Sequence, residues 1–289
     1  MSRHFRALAL WAAASLYVII ITGALVRLTA SGLGCESWPG CQEGAFFPAE
    51  DYHGFIEFGN RVFGAIPITL TLLAWVASRR VASRFVQRIA LATFLLTLVQ
   101  APIGLVVIAT DLEPIAVVVH FTLALLALAG ALIVVLASIT PDQAVDEAVP
   151  GELQRAGVVL AAACLALVVT GTLVTAAGPH SGDPDVDRLW VLDNAMWVHV
   201  RAAGLFGLAL LFVLGYLVAR RARSPGLLRV GLVVAALALA QAAVGELQWQ
   251  TELPWGIVLV HVALAAAVWS ATVVLVTLFH RPLEPQPLD

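Results

Sequence analysis

Apolar residues fill this chain in long stretches, separated by short segments where charge, proline and glycine collect. Eight stretches stand out, at 7–28, 56–78, 86–109, 114–138, 156–177, 191–219, 228–249 and 255–279. Each reaches the roughly 20 residues that a helix needs to cross a bilayer. The hydrocarbon offers no water to backbone N–H and C=O groups, so these stretches must pair their backbone internally as helices. The expected fold is therefore all-α: a polytopic membrane protein, built as an eight-transmembrane-helix bundle. Arg3 and Arg6 precede the first stretch and no convincing cleavage site follows it, so it reads as a retained helix rather than a signal peptide.

The pattern also repeats. "TGALV" at 22–26 recurs as "TGTLV" at 170–174, and "QAPIG" at 100–104 recurs as "QAAVG" at 241–245. From each of those glutamines to a later histidine, His120 or His261, the distance is twenty residues. Arg61-x-x-Gly64 resembles Arg201-x-x-Gly204 in the same way. The unit is four spans. Because an even number of crossings separates the copies, the pattern predicts two parallel four-helix halves related by a pseudo-two-fold axis along the membrane normal. The expected organisation is an amino-terminal half at 1–138, a cytoplasmic linker at 139–154, a carboxy-terminal half at 155–281 and a tail at 282–289. The linker, "ITPDQAVDEAVPGELQ", is acidic and carries prolines towards both ends.

Composition agrees: at 61% hydrophobic and 12% charged over 289 residues, a water-soluble domain is excluded. All sixteen basic residues are arginine, and their distribution sets orientation. Twelve lie at the amino terminus, in the 79–88, 155 and 220–229 connections and at Arg281, leaving Arg27, Arg61, Arg188 and Arg201 for the other side. The positive-inside rule then places both termini in the cytoplasm of a cell whose inner (cytoplasmic) membrane holds the chain. The 29–55, 110–113, 178–190 and 250–254 connections face outward. The net charge of −3 gives no reason to expect a nucleic-acid partner. Membrane lipid is the expected surrounding.

Candidate chemistry collects near the outward side. Cys35 and Cys41 bracket "CESWPGC", and the Pro-Gly turn can bring them together. A disulfide is the favoured outcome in an oxidising compartment, with two free thiols as the alternative. Cys164 lies within a span and reads as packing. Of seven histidines, His4 and His280 sit at cytoplasmic ends, while His53 and His180 lie in or beside outer connections. His120, His199 and His261 lie inside spans at matched depth, about 10 Å along a helix from the outer ends. A single histidine there reads as a neutral imidazole bonded to a neighbouring helix. Three at one depth suit axial ligation of a haem iron, with His199 and His261 as a complete pair. The arginines near the water boundary, Arg27, Arg61 and Arg201, are candidate partners for the propionates. In the first half Asn60 stands near the position of His199, leaving His120 alone. There, too, Glu57 shares a helix face with Asn60, Arg61 and Gly64, whereas the second half offers only Met196 or Trp197. The plainer alternative for Glu57 and Arg61 is an intrahelical ion pair at the membrane edge. The asymmetry suggests a held cofactor in the second half and a reaction in the first.

Taken together, "TGALVRLTASGLGCESWPGC", "IEFGNR" and histidines 120, 199 and 261 resemble the haem A synthase family over essentially the whole chain. That resemblance implies a membrane oxidoreductase that oxidises a methyl group of haem O to a formyl group, giving haem A for cytochrome oxidase. It implies haem b as cofactor, ligated by His199 and His261, with His120 facing the substrate haem and Glu57 as the catalytic carboxylate. The Cys35–Cys41 disulfide would support the substrate side. A quinone acceptor, haem O synthase and cytochrome oxidase assembly proteins are the implied partners. Asn60 departs from the histidine that many members carry, and the second outer cysteine pair found in some members is missing. Two other functions fit parts of the pattern. One is a b-type cytochrome passing electrons between quinone and an outer partner. The other is a haem-binding transporter, which the sparse polarity of the inner half of the spans disfavours.

Overall fold

The computed structural model describes residues 3–139, 149–180, 182, 188–222 and 224–280. Among these residues the chain forms α1 (Arg3–Leu28), α2 (Tyr52–Val81), α3 (Arg84–Leu98), α4 (Gln100–Ala109), α5 (Pro114–Ile139), α6 (Gly151–Ala177), α7 (Leu192–Ala219), α8 (Pro225–Gln250) and α9 (Trp255–Phe279). With α3 and α4 counted as one crossing, eight helical segments are long and apolar enough to span a membrane. Exposed side chains such as Leu205, Leu208, Leu211 and Phe212 on α7 suit a surface in contact with lipid tails.

Several boundaries differ from the apolar pattern, each for a local reason. Helix α2 begins at Tyr52 rather than at 56, because the Asp51 carboxylate accepts the Gly54 N–H at 2.8 Å and caps the first turn. Helix α6 begins at Gly151, directly after Pro150, so the end of the expected linker is helical. Residues 140–148 and the 282–289 tail lie outside the described residues. The third crossing breaks at Val99, between α3 and α4. Pro102 is the cause: it has no N–H for the Leu98 carbonyl, and its ring crowds that carbonyl. One turn earlier, the Gln100 side chain donates to Leu96 O at 3.1 Å. The matching stretch of the second half, "QAAVG", has no proline, and α8 runs unbroken.

Helix neighbours follow one order in both halves. Helix α1 packs on α2, α2 on α3, α3 and α4 on α5, and α5 back on α1. In the second half α6 packs on α7, α7 on α8, α8 on α9, and α9 back on α6. Each half is thus a ring of four crossings, with α2 opposite α5 and α7 opposite α9. The halves meet where α1 touches α9, α5 touches α9 and α5 touches α6. Leu16, Leu125, Leu128, Leu160, Leu275 and Phe279 fill this central seam and are almost wholly buried. Two bonds stitch it: Tyr17 OH donates to Ala263 O and Trp269 Nε1 donates to Leu125 O, each at 2.9 Å.

The connections into α5 and α9 match as well. Asp111 and Leu112 have φ of 50° and 61°, and Glu252 and Leu253 have 62° and 60°. Leu112 N–H reaches back to Val107 O and Leu253 N–H to Gln248 O, both at 2.8 Å. A left-handed pair of non-glycine residues costs roughly 1 kcal/mol or more at each position, and here the tertiary fold sustains it twice.

Candidate functional site

The first loop is drawn down onto α2. Cys35 and Cys41 form a disulfide, which settles the alternative of free thiols. Gly34 passes so close to the first turn of α2 that a Cβ there would lie 2.5 Å from the His53 carbonyl carbon, a backbone atom that cannot move aside. Beside it the Ser31 hydroxyl pairs with His53 Nδ1 at 2.9 Å. The "SGLGC" string therefore describes how a loop lies on a helix start. Phe46 and Phe47 pack edge-on against Phe58, which closes over the disulfide.

Beneath this loop lies Glu57, only 4% exposed. Its Oε2 accepts the Cys35 N–H at 2.8 Å. Its Oε1 accepts Arg61 Nε at 3.1 Å, and Arg61 Nη2 bonds the same oxygen. Arg61 Nη1 then donates to the carbonyls of Ser37 and Gly40, at 2.7 and 2.6 Å. Guanidinium carries five N–H donors, and four of these are committed here. The pair is thus more than an intrahelical bridge: it joins α2 to both ends of the disulfide loop. Spacing alone suggested the pair; the loop contacts had no signal in the sequence, because backbone carbonyls recruit arginine whatever side chains they carry.

His120, His199 and His261 stand on α5, α7 and α9, and Asn60 stands on α2. In each ring the two candidate positions therefore belong to opposite helices. His199 Nδ1 lies 3.1 Å from Thr170 Oγ1 on α6. Thr22 Oγ1 on α1 makes the corresponding contact with Asn60 Oδ1 at 2.8 Å. Since Thr22 and Thr170 match in the repeated "TG-x-LV" string, these bonds align Asn60 with His199, and hence Glu57 with Met196. Helix α7 brings no carboxylate to that place. Arg61 then aligns with Val200, one residue from Arg201. Arg201 lies over the Trp197 ring, 3.1 Å from its centroid, and bonds its own helix at Trp197 O. Arg27 lies in the last turn of α1, its side chain next to Gly182. His180 Nε2 lies 2.7 Å from Leu253 O, tying two outer connections together.

A haem iron asks each axial imidazole for one free nitrogen on a side chain otherwise held in place. His199 fits that demand through the bond of its Nδ1 to Thr170, whereas at His261 the Gln241 amide donates to Nε2 and occupies that nitrogen's lone pair. His120 Nδ1 and His261 Nδ1 are buried without a hydrogen-bond partner among the described residues, as are Gln100 Oε1 and Gln241 Oε1. Gln241 Nε2 lies 3.0 Å from His261 Nε2. Each histidine also lies on a glycine. A Cβ at Gly104, Gly171 or Gly245 would meet the Cε1 of His120, His199 or His261 at 3.6, 3.1 or 2.9 Å. A compact tetrahedral metal site is a poorer match, since among the described residues no three His, Cys, Asp or Glu side chains converge. Thr22, Thr170, Gln100 and Gln241 were visible in the sequence only as repeat markers; their contacts to the site emerge from the fold.

A protein of Symbiobacterium thermophilum named heme A synthase is 33% identical over 138 residues, covering 47% of this chain and 45% of that protein. One of Bacillus mycoides with the same name is 29% identical over 152 residues, covering 50% and 48%. The chain thus spans about half the length of the curated relatives it matches. The family model for COX15-CtaA, described as cytochrome oxidase assembly protein, matches residues 6–273. With nearly all of its length covered by that model, this multi-pass membrane protein belongs to the COX15-CtaA family.

Proposed function

We propose that the chain is a haem A synthase, a membrane oxidoreductase that converts the methyl group of haem O to the formyl group of haem A for cytochrome oxidase. One observation carries this assignment: the two rings share a plan but differ at the reacting positions. The second has His199 and His261 on opposite helices; the first has His120 opposite Asn60, with the buried Glu57 one turn before it. A bare electron-transfer cytochrome explains the second ring but leaves the buried carboxylate of the first without a task. We read the halves as related by a two-fold axis along the membrane normal, a relation supported by the shared neighbour order and matched turns.

In this scheme His199 and His261 hold haem b, and His120 faces the substrate haem. Haem b supplies one-electron redox chemistry when bound. The propionates pair with Arg27 and Arg201, while Arg61, whose donors are largely spent on the loop, holds Glu57 in place. Glu57 accepts a proton from the reacting substrate or stabilises positive charge developing on it. The disulfide loop lies over Glu57 and limits water there. Electrons leave towards a quinone; haem O synthase and oxidase assembly proteins are the partners for delivery and hand-off. The arginine distribution puts both termini in the cytoplasm, with the chain in the inner membrane.

The test is co-expression with a haem O supply, followed by porphyrin extraction and mass analysis. The native chain yields haem A, and Glu57→Ala yields none. Haem A at native levels from that variant removes Glu57 from the chemistry.

A further inference from the structure

The threonines facing Asn60 and His199 are not neutral packing. Thr170 Oγ1 lies 2.9 Å from Leu167 O and 3.1 Å from His199 Nδ1. A hydroxyl has one proton, and a carbonyl oxygen can only accept, so the proton goes to Leu167 O. The oxygen's lone pair then faces Nδ1, which must carry the imidazole's proton. The neutral ring is left with a bare Nε2, whose lone pair is open to an iron. Gly171, the next residue, lets the ring lie on the helix backbone, since a Cβ would come within 3.1 Å of Cε1. Thr and Gly together thus set both the tautomer and the orientation.

The first half has the matching threonine without the ring, and its proton runs the other way: an amide oxygen only accepts, so the Thr22 hydroxyl donates to Asn60 Oδ1. Thr22 Oγ1 lies 3.2 Å from Ile19 O and 2.8 Å from Asn60 Oδ1. Gly23 follows it, and a Cβ there would meet nothing within 4 Å. The space that an imidazole edge occupies beside Gly171 is left open beside Gly23.

We propose that the threonine of each Thr-Gly pair is a positioning residue for the ligand position it faces: Thr170 orients His199, and Thr22 marks the seat of a second imidazole that Asn60 leaves unused. This rests on the assignment of His199 and His261 as haem ligands.

The experiment uses the full chain purified in detergent, reading haem content, the low-spin optical spectrum and the midpoint potential. Thr170→Val keeps the shape and removes the hydroxyl; haem retention falls about 10-fold and the potential shifts. Thr170→Ser restores both. Thr170→Ala is read instead if the valine variant does not fold. In the first half Asn60→His adds a second bis-histidine signal when substrate haem is supplied, and adding Thr22→Val removes that gain. Native retention, spectrum and potential in both Thr170→Val and Thr170→Ala overturn the proposal, as does an Asn60→His signal indifferent to Thr22. A native chain without haem, or a His199→Ala variant that keeps the bis-histidine spectrum, overturns the ligand assignment beneath it. Those results are distinct from a His199-dependent spectrum that ignores Thr170, which sinks the threonine proposal alone.

Discussion

Arg61 and Glu57 show how a pair readable from spacing acquires its meaning from a distant loop. The i, i+4 separation put carboxylate and guanidinium on one helix face, and an exposed pair of that kind contributes only a few tenths of a kcal/mol. Here both are largely buried, at 13% and 5% side-chain exposure, and the guanidinium also holds two loop carbonyls. Breaking a buried pair on one side costs about 3 kcal/mol, because the remaining charge keeps its desolvation penalty. Arg61→Ala should therefore loosen the loop and expose Cys35 and Cys41 to reductant. Faster alkylation of both cysteines after mild reduction is the expected outcome; native protection would assign the loop's stability to the Phe58 cluster instead. Among the histidines, His261→Ala should abolish the bis-histidine spectrum and His120→Ala should largely spare it. The reverse pattern would exchange the roles of the halves.

At the level of helices, the break in the third crossing follows from one residue. Pro102 leaves Leu98 O without its N–H donor, and the equivalent α8, with Ala243 at that place, is continuous. Pro102→Ala should fuse α3 and α4 into one helix, seen as increased hydrogen-exchange protection across residues 98–103. Unchanged protection would mean that packing against α5, rather than the missing donor, sets the bend. The apolar run was legible here while its interruption was not, because hydrophobicity is blind to one missing N–H. The early start of α2 has a similar origin: Asp51 caps a turn whose residues are too polar to count as span.

Across the whole molecule, α1, α5, α6 and α9 form the seam and the other crossings flank it. In lipid there is little hydrophobic gain from helix association, so close packing and a few interhelical bonds decide the arrangement. Gly130 illustrates the closeness, as a Cβ there would clash with Thr93 on α3. Trp269→Phe removes the bond to Leu125 O between the halves and should cost about 1 kcal/mol, measured as a lower unfolding midpoint in mixed micelles. No change would leave the cohesion of the halves to side-chain packing and the Tyr17 bond to Ala263 O.

Length and apolarity by themselves determined the crossings, since a bilayer core accepts few backbone solutions. The repeated strings and equal glutamine–histidine spacings pointed to two like sets of four spans, and the cysteine pair announced its loop. Tertiary structure decided the rest: that Asn60 and His199 answer to equivalent threonines, that Arg61 is bound to a loop, and that Glu57 lies buried under a backbone N–H. These contacts join atoms separated by 21 to 38 residues, many of them backbone groups common to every residue type. Periodicity can mark the elements on which such atoms ride, but only the packing of helices and loop sets which of them meet.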